Sequence, residues 1–135
     1  KDKNDIKLIN ELFNWMEKNK ADYTNTFCNL MGINSDNIYK NTFFINWKNK
    51  WNKRSKLNNS TEEKQTKLMR ENNPIVIPRN HKVEETLAEA NKGNLNELKK
   101  LLNILKNPYK NQNNIEEYQV PAQPSNKKYQ TFCGT

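Results

Sequence analysis

Residues 72–94 read NNPIVIPRNHKVEETLAEANKGN, and this stretch decides how the rest of the chain is arranged. Pro74 and Pro78 enclose three β-branched residues, a combination that predicts an extended backbone. We call residues 74–78 the strap. Because residues 75–77 are all apolar in an otherwise polar chain, we expect them to be buried.

A helical hairpin is predicted to follow the strap, because apolar residues then recur at helical spacing. Gly93 is suited to end its first helix in a left-handed conformation, and Asn94 can cap the second, which Pro108 ends. The second helix has the clearest apolar face of the chain, formed by Leu98, Leu101, Leu102 and Leu105. The predicted core residues of the hairpin are Val83, Leu87, Leu101 and Leu102.

Four more helices are predicted before the strap, over approximately residues 5–19, 23–31, 42–54 and 61–72. Their predicted N-caps include Asp5, Asp22 and Ser60, the last with Glu63 in a capping box. Gly32 is expected to end the second of these helices, and a polar loop is expected over residues 33–41. The predicted core face of the first helix is Ile6, Ile9, Leu12, Phe13 and Met16.

These elements predict an all-α fold. We expect an irregular bundle of about six helices, crossed by the strap, over residues 1–108. A long extended tail is expected over residues 109–135, because prolines and polar residues dominate there. The anchors available to this tail are Tyr118, Val120, Tyr129 and Phe132.

Aromatic and basic residues alternate over residues 43–54, and two interpretations are open. Interleaved rings and cations could form a stacking platform for single-stranded nucleic acid. However, Phe44, Trp47 and Trp51 share one helical face and the basic residues share the other. We therefore favour a buried aromatic face under a basic solvated face, and rings that dock onto another domain are a third possibility.

The net charge of +8 is compatible with binding to nucleic acid or an anionic surface. Lysines are spread along the chain and interspersed with acidic residues, which favours a solvated surface instead. We see no apolar run long enough for a membrane span. Two cysteines, Cys28 and Cys133, match no metal spacing and suit a reducing compartment, so we expect a cytoplasmic protein.

The sequence contains no recognisable catalytic arrangement or metal site. His81 is the only histidine, and its position in the first turn of a helix favours a packed structural role. The three glycines are scattered and form no phosphate-binding loop. We therefore predict no catalytic, cofactor-binding or metal-binding residue in this chain.

Several motifs, in the same order, resemble the C-terminal region of the selenoprotein O family. They are ADYTNTF at 21–27, NP at 73–74 with RNH at 79–81 and VE at 83–84, GN at 93–94, LL at 101–102 with Leu105, PY at 108–109, and YQTFCGT at 129–135. The resemblance covers nearly the whole chain. It implies a parent protein with a kinase-like fold that transfers AMP from ATP to hydroxyl side chains of proteins.

The resemblance also implies that the catalytic half lies before Lys1, and the absence of an initial methionine fits excision from a longer protein. ATP and a divalent metal, magnesium or manganese, are then expected for the parent. This chain alone is expected to be inactive and to serve as structural support. Its expected partners are the N-terminal kinase-like half and the parent's protein substrates.

The same resemblance assigns a role to Cys133. Family members have selenocysteine or cysteine near the C-terminus, so Cys133 is a possible redox residue whose reactivity depends on its pKa and access. From spacing alone, an inert terminal cysteine is favoured. Cys28 matches no family position. The alternative hypothesis is a basic helical module that binds nucleic acid or another protein.

Overall fold

The computed structural model describes residues 3–58 and 61–123. In those residues the chain forms seven α-helices and one 3-10 helix, and no β-strand, so the all-α prediction is confirmed. The helices are α1 (Lys3–Asn19), α2 (Tyr23–Leu30), α3 (Thr42–Lys56), α4 (Glu62–Asn72), α5 (Asn80–Asn91), α6 (Asn96–Leu105) and α7 (Glu116–Gln119). The 3-10 helix, Asn37–Lys40, lies in the predicted loop and buries Tyr39.

Most predicted helix ends are confirmed. Asp22 caps α2, because its carboxylate accepts a 2.9 Å hydrogen bond from the backbone of Asn25. Gly32 and Gly93 follow α2 and α5 with φ values of 77° and 88°, the left-handed conformation that a glycine adopts without strain.

Three predicted caps differ from the structure. The N-cap of α4 is Thr61, whose hydroxyl accepts a 3.3 Å hydrogen bond from the backbone of Lys64; the predicted cap, Ser60, lies outside the described residues. Asp5 is in the first turn of α1, so the predicted start was too late. Leu95 holds the N-cap position of α6 but makes no side-chain cap hydrogen bond. The capping hydrogen bond predicted for Asn94 does form, one position earlier, because its side-chain oxygen accepts from the backbone of Asn96 at 3.2 Å.

Two apolar clusters form the core, and α2 contributes to both. The first lies between α1, α3 and the 3-10 helix and contains Leu12, Trp15, Met16, Tyr39, Phe44 and Trp47. The second lies around the strap and contains Cys28, Met31, Ile75, Val76, Leu101, Ile104, Ile115 and Tyr118. Because Phe27 and Leu30 pack against the first cluster, α2 connects the two.

The predicted core face of α1 is partly wrong. Leu12 and Met16 are buried, together with Trp15, which was not predicted. The other three predicted residues, Ile6, Ile9 and Phe13, are 58%, 50% and 44% exposed. The apolar residues of α1 cover a wider part of its circumference than the part that contacts the bundle. Helical spacing alone therefore assigned some exposed apolar residues to the core.

The same error affects the hairpin of α5 and α6. Leu101 is buried as predicted, and Val83 packs against the second cluster. Leu87 and Leu102 are 51% and 52% exposed, so their assignment to the core was wrong. Ile104 is buried in the place predicted for Leu102, because α6 turns residues 101 and 104 towards the strap.

The strap is buried at its centre, as predicted. Ile75 and Val76 are 2% and 1% exposed, whereas Ile77 is half-buried. The backbone amides of Ile75 and Val76 both donate hydrogen bonds to the carbonyl of Pro108, at 2.7 and 3.3 Å. The strap is therefore held against the end of the hairpin without belonging to a sheet.

The first part of the predicted tail is folded. Within it, α7 forms, and Ile115 and Tyr118, each 2% exposed, lie in the same cluster as Leu101. Residues 109–123 are thus not extended throughout, because these two side chains supply the apolar burial that offsets the cost of ordering. The proposed division of the chain at residue 109 stays a prediction, and Tyr129 and Phe132 lie outside the described residues.

The predicted aromatic face of α3 is confirmed. Phe44 and Trp47 are 1% and 4% exposed, and the indole of Trp47 donates a 2.8 Å hydrogen bond to the carbonyl of Leu8. Trp51 is half-buried and stacks on Trp47 with ring centroids 6.2 Å apart. Since Trp47 is enclosed, its ring is not available to stack on a base.

Candidate functional site at the strap

An ion pair joins the end of the strap to the start of α2. Arg79 follows the strap and precedes α5, and its guanidinium donates two hydrogen bonds to the carboxylate of Asp22, at 2.7 and 2.8 Å. The two side chains are 11% and 19% exposed. This paired geometry fixes the direction of both groups, as expected of an arginine fork on a carboxylate.

The electrostatics of Asp22 follow from these contacts. Burial alone would raise the pKa of Asp22. This effect is outweighed by the hydrogen bonds from Arg79 and from the backbone of Asn25, together with the positive charge of Arg79. The pKa of Asp22 is therefore lowered below its ordinary value. Asp22 is therefore an ionised structural group. It is unsuited to act as a general base at neutral pH, because its proton affinity is reduced.

Gln119 at the end of α7 completes the network. Its backbone carbonyl accepts hydrogen bonds from Arg79 and from the side chain of Asn25, both at 3.1 Å. Its side-chain amide donates to the carbonyl of Ile75 at 3.0 Å. The network thus fastens three separate stretches of the chain, namely the start of α2, the strap and the end of α7.

Cys28 lies beneath the strap and is 1% exposed. Its sulfur is 3.8 Å from the carbonyl oxygen of Ile75 and 3.9 Å from that of Pro74. Burial, with a smaller contribution from the Asp22 charge, raises the pKa of the Cys28 thiol to about 11, although the Arg79 charge opposes this. The thiol is therefore neutral and enclosed, so Cys28 is a packing residue and not a nucleophile.

A second charged group connects α5, α6 and α7 at the surface. Glu117 accepts from Lys100 at 2.8 Å and from Lys82 at 3.5 Å. The Lys100 ammonium also lies 5.3 Å from the centre of the Tyr118 ring. The hydrogen bond from Lys100 lowers the pKa of Glu117. These exposed charges orient α7 on the hairpin and form no catalytic constellation.

The residues singled out from the sequence are not brought together. His81 is half-buried in the first turn of α5, and Cys133 lies outside the described residues. Within residues 3–58 and 61–123, no group of three or more histidine, cysteine, aspartate or glutamate side chains is arranged to hold a metal ion. None of the helices in that same part of the chain combines the length and apolar character that crossing a bilayer requires.

The ion pair between Asp22 and Arg79 was not predicted. Both residues occur in motifs quoted above, one as a helix cap and the other in RNH, but they are 57 positions apart. The sequence does contain a signal for this ion pair. An arginine directly after a buried apolar segment is itself partly buried, and a buried charge needs a nearby opposite charge. Together with Gln119, the pair positions the start of α2, the strap and the end of α7 relative to one another.

Comparison with known proteins gives three results. The sequence profile of a family described as "Protein adenylyltransferase SelO" matches residues 1–106. A "Protein nucleotidyltransferase YdiU" of Pelagibacter ubique (strain HTCC1062) is 52% identical over 136 residues, which cover 99% of this chain and 28% of that protein. A protein of the same name from Bacillus thuringiensis (strain Al Hakam) is 43% identical over 134 residues, covering 97% of this chain and 28% of that protein.

The chain therefore spans little more than a quarter of the length of these relatives. No solved structure matches it.

Proposed function

This chain belongs to the family of protein adenylyltransferase SelO, and from that premise we propose that it is one part of a longer enzyme that transfers AMP from ATP to hydroxyl side chains of proteins. The observation that carries the proposal is the family match over residues 1–106, supported by 52% identity to a protein nucleotidyltransferase. The chain spans 28% of that relative, and our proposal assigns the catalytic residues to the remaining polypeptide.

Within that enzyme, this chain acts as a rigid helical support. The contacts around the strap favour this role, because Asp22, Arg79 and Gln119 are used to fasten segments together. ATP and its divalent metal, magnesium or manganese, bind to the kinase-like half that precedes this chain. That half and the protein substrates are the partners, and the whole enzyme acts in the cytoplasm.

Cys133 is the proposed site of redox control. Its thiol and a second thiol in the kinase-like half form one S–S bond, and a disulfide oxidant such as oxidised glutathione takes up the two electrons and two protons. Reduction by a thiol reverses the step. Cys28 is a poor partner for this bond, because it is 1% exposed and its pKa is raised to about 11.

The enzymatic proposal is tested by a chimera in which this chain replaces the matched segment of the Pelagibacter ubique relative, 28% of that protein. Transfer of labelled AMP from ATP to protein is measured for the relative and for the chimera. We expect the chimera to retain transfer, because this chain and the segment it replaces are 52% identical. A folded chimera without activity, beside an active relative, would contradict the proposal.

Redox control is tested on the same chimera, with and without Cys133→Ser, under oxidising and reducing conditions. We expect activity to respond to the conditions only when Cys133 is present. A response that is unchanged by Cys133→Ser would show that this cysteine has no regulatory role. Cys28→Ser provides the matched control, which should leave the response intact.

Nucleic-acid binding is a second candidate function, favoured by the net charge of +8. The burial of Trp47 weakens it, because the ring cannot stack on a base. The test is binding of this chain to single-stranded oligonucleotides over a range of salt concentrations. Tight binding that weakens steeply with salt would support this function, and no binding at low salt would remove it.

A further inference from the structure

One side of α1 is apolar and exposed. Ile6, Ile9 and Phe13 follow each other at intervals of three and four residues, so they lie along one face of the helix. They are 58%, 50% and 44% exposed. These three residues, with Tyr23, are called the α1 face below.

Tyr23 extends this surface onto α2. Its ring centroid is 6.3 Å from that of Phe13 and 4.8 Å from that of Phe27, yet the residue is 58% exposed. Four large apolar side chains are therefore contiguous across two helices, which distinguishes them from single exposed apolar residues. Contiguous apolar surface of this kind marks an interaction site.

The α1 face is separate from the core face of the same helix. At about 100° per residue, the apolar residues of α1 fall into two adjoining parts of its circumference. The first part contains Leu8, Leu12, Trp15 and Met16, and the second contains Ile6, Ile9 and Phe13. The first set lies in or against the cluster beneath α1. A surface helix normally has a single apolar stripe, so an apolar arc covering about half of the circumference indicates a helix packed on two sides.

We propose that the α1 face is the surface on which this chain docks against the remaining polypeptide of the longer enzyme. This inference rests on the proposed function. The chain spans 28% of the Pelagibacter ubique relative, so a partner of ample size is covalently attached in that protein. A second copy of this chain is disfavoured as the occupant, because each copy has a net charge of +8.

The first test measures how fast a maleimide reacts with single cysteines placed on α1. Ile9→Cys and Phe13→Cys report on the α1 face, and Lys7→Cys, which is exposed on the opposite side, is the matched control. All variants also contain Cys133→Ser, and Cys28 remains because it is buried. The variants are compared in the chain alone and in the chimera with the Pelagibacter ubique relative.

We expect Ile9→Cys and Phe13→Cys to react about tenfold or more slowly in the chimera than in the chain alone, because thiol reactivity depends on access. Lys7→Cys should react at the same rate in both. Equal rates for Ile9→Cys in both proteins would overturn the proposal. Slower reaction in the chain alone at rising protein concentration would also overturn it, because a second copy would then be the occupant.

The activity of the chimera separates this inference from the proposed function. An active chimera in which the thiol at position 9 reacts freely would overturn docking and leave the function intact. A protected thiol in an inactive chimera would support docking while contradicting the function.

The second test needs no chimera. Denaturant unfolding of the chain is compared for Ile9→Ser, Phe13→Ser and Leu12→Ser, which all lie on α1. We expect the unfolding midpoint to fall much further for Leu12→Ser than for the first two variants, because Leu12 is 5% exposed whereas Ile9 and Phe13 are 50% and 44% exposed. A similar fall for all three would place the α1 face inside the core of the chain itself and overturn the proposal.

Discussion

The guanidinium of Arg79 holds the carboxylate of Asp22 through two hydrogen bonds, of 2.7 and 2.8 Å, across 57 positions of sequence. This contact fixes the strap relative to α2, and the carbonyl of Gln119 adds α7 to the same network. It is the point at which three distant segments of the chain are joined.

Asp22→Asn is expected to lower the free energy of unfolding by about 1.5–3 kcal/mol, the range for hydrogen bonds to charged groups. Asparagine is as good an N-cap as aspartate, so the loss reports on the ion pair and not on the end of α2. The measurement is denaturant unfolding at neutral pH. Asp36→Asn, at an exposed aspartate, is the control, and an equal effect of the two substitutions would contradict the assignment.

The contribution of Asp22 is expected to depend on pH. Burial alone would raise the pKa of Asp22, but the contacts with Arg79 and Asn25 lower it below 3.8 in the folded chain. The unfolded chain therefore binds this proton first as the pH falls, so the stabilisation is present above the ordinary pKa and is lost as the pH falls through the folded pKa.

Unfolding free energies of the unmodified chain and Asp22→Asn should thus differ most at about pH 5–7 and converge in more acidic solution. A difference that stays constant from neutral pH to about pH 3 would show that the ionisation of Asp22 is not linked to folding.

Leu101 and Leu102 are adjacent in sequence but differ in burial, at 4% and 52% exposed. Leu101→Ala is expected to cost about 2–5 kcal/mol, the range for a buried leucine. Leu102→Ala should change stability by no more than about 0.5 kcal/mol, as is usual at the surface. Chemical denaturation of the two variants measures both values, and similar losses would mean that the orientation of α6 is wrong.

Residues 109–123 are expected to contribute to stability, although their composition suggests a tail. Ile115 is 2% exposed and Val120 is 47% exposed. Ile115→Ala should therefore cost about 2–5 kcal/mol, whereas Val120→Ala should have little effect. Thermal unfolding of the two variants provides the comparison. If Ile115→Ala left the thermal unfolding midpoint unchanged, α7 would not unfold together with the rest of the chain.

The local features of the fold could be predicted from sequence, because they depend on neighbouring residues. The strap, the Asp22 cap and the left-handed glycines at 32 and 93 all follow from local backbone preferences. Helical spacing identified the helices but could not choose between the inner and outer parts of a wide apolar arc. Ile9 and Phe13 were therefore assigned to the core, and Trp15 was missed.

The remaining features depend on contacts between distant parts of the chain. Nothing local pairs Asp22 with Arg79, and a four-residue helix such as α7 has too short a pattern to be recognised. Ile115 and Tyr118 are three positions apart, which is helical spacing, but the surrounding polar residues obscured it. Burial by the rest of the chain, and not local preference, orders this segment.

Whether this chain needs the remaining polypeptide for AMP transfer is measured most directly by incubating the 135-residue chain with labelled ATP, a divalent metal and acceptor proteins. The chimera with the Pelagibacter ubique relative serves as the positive control under the same conditions. We expect labelled protein with the chimera and none with the chain alone, because we propose that the catalytic residues lie in the remaining polypeptide. Robust labelling by the chain alone would contradict it.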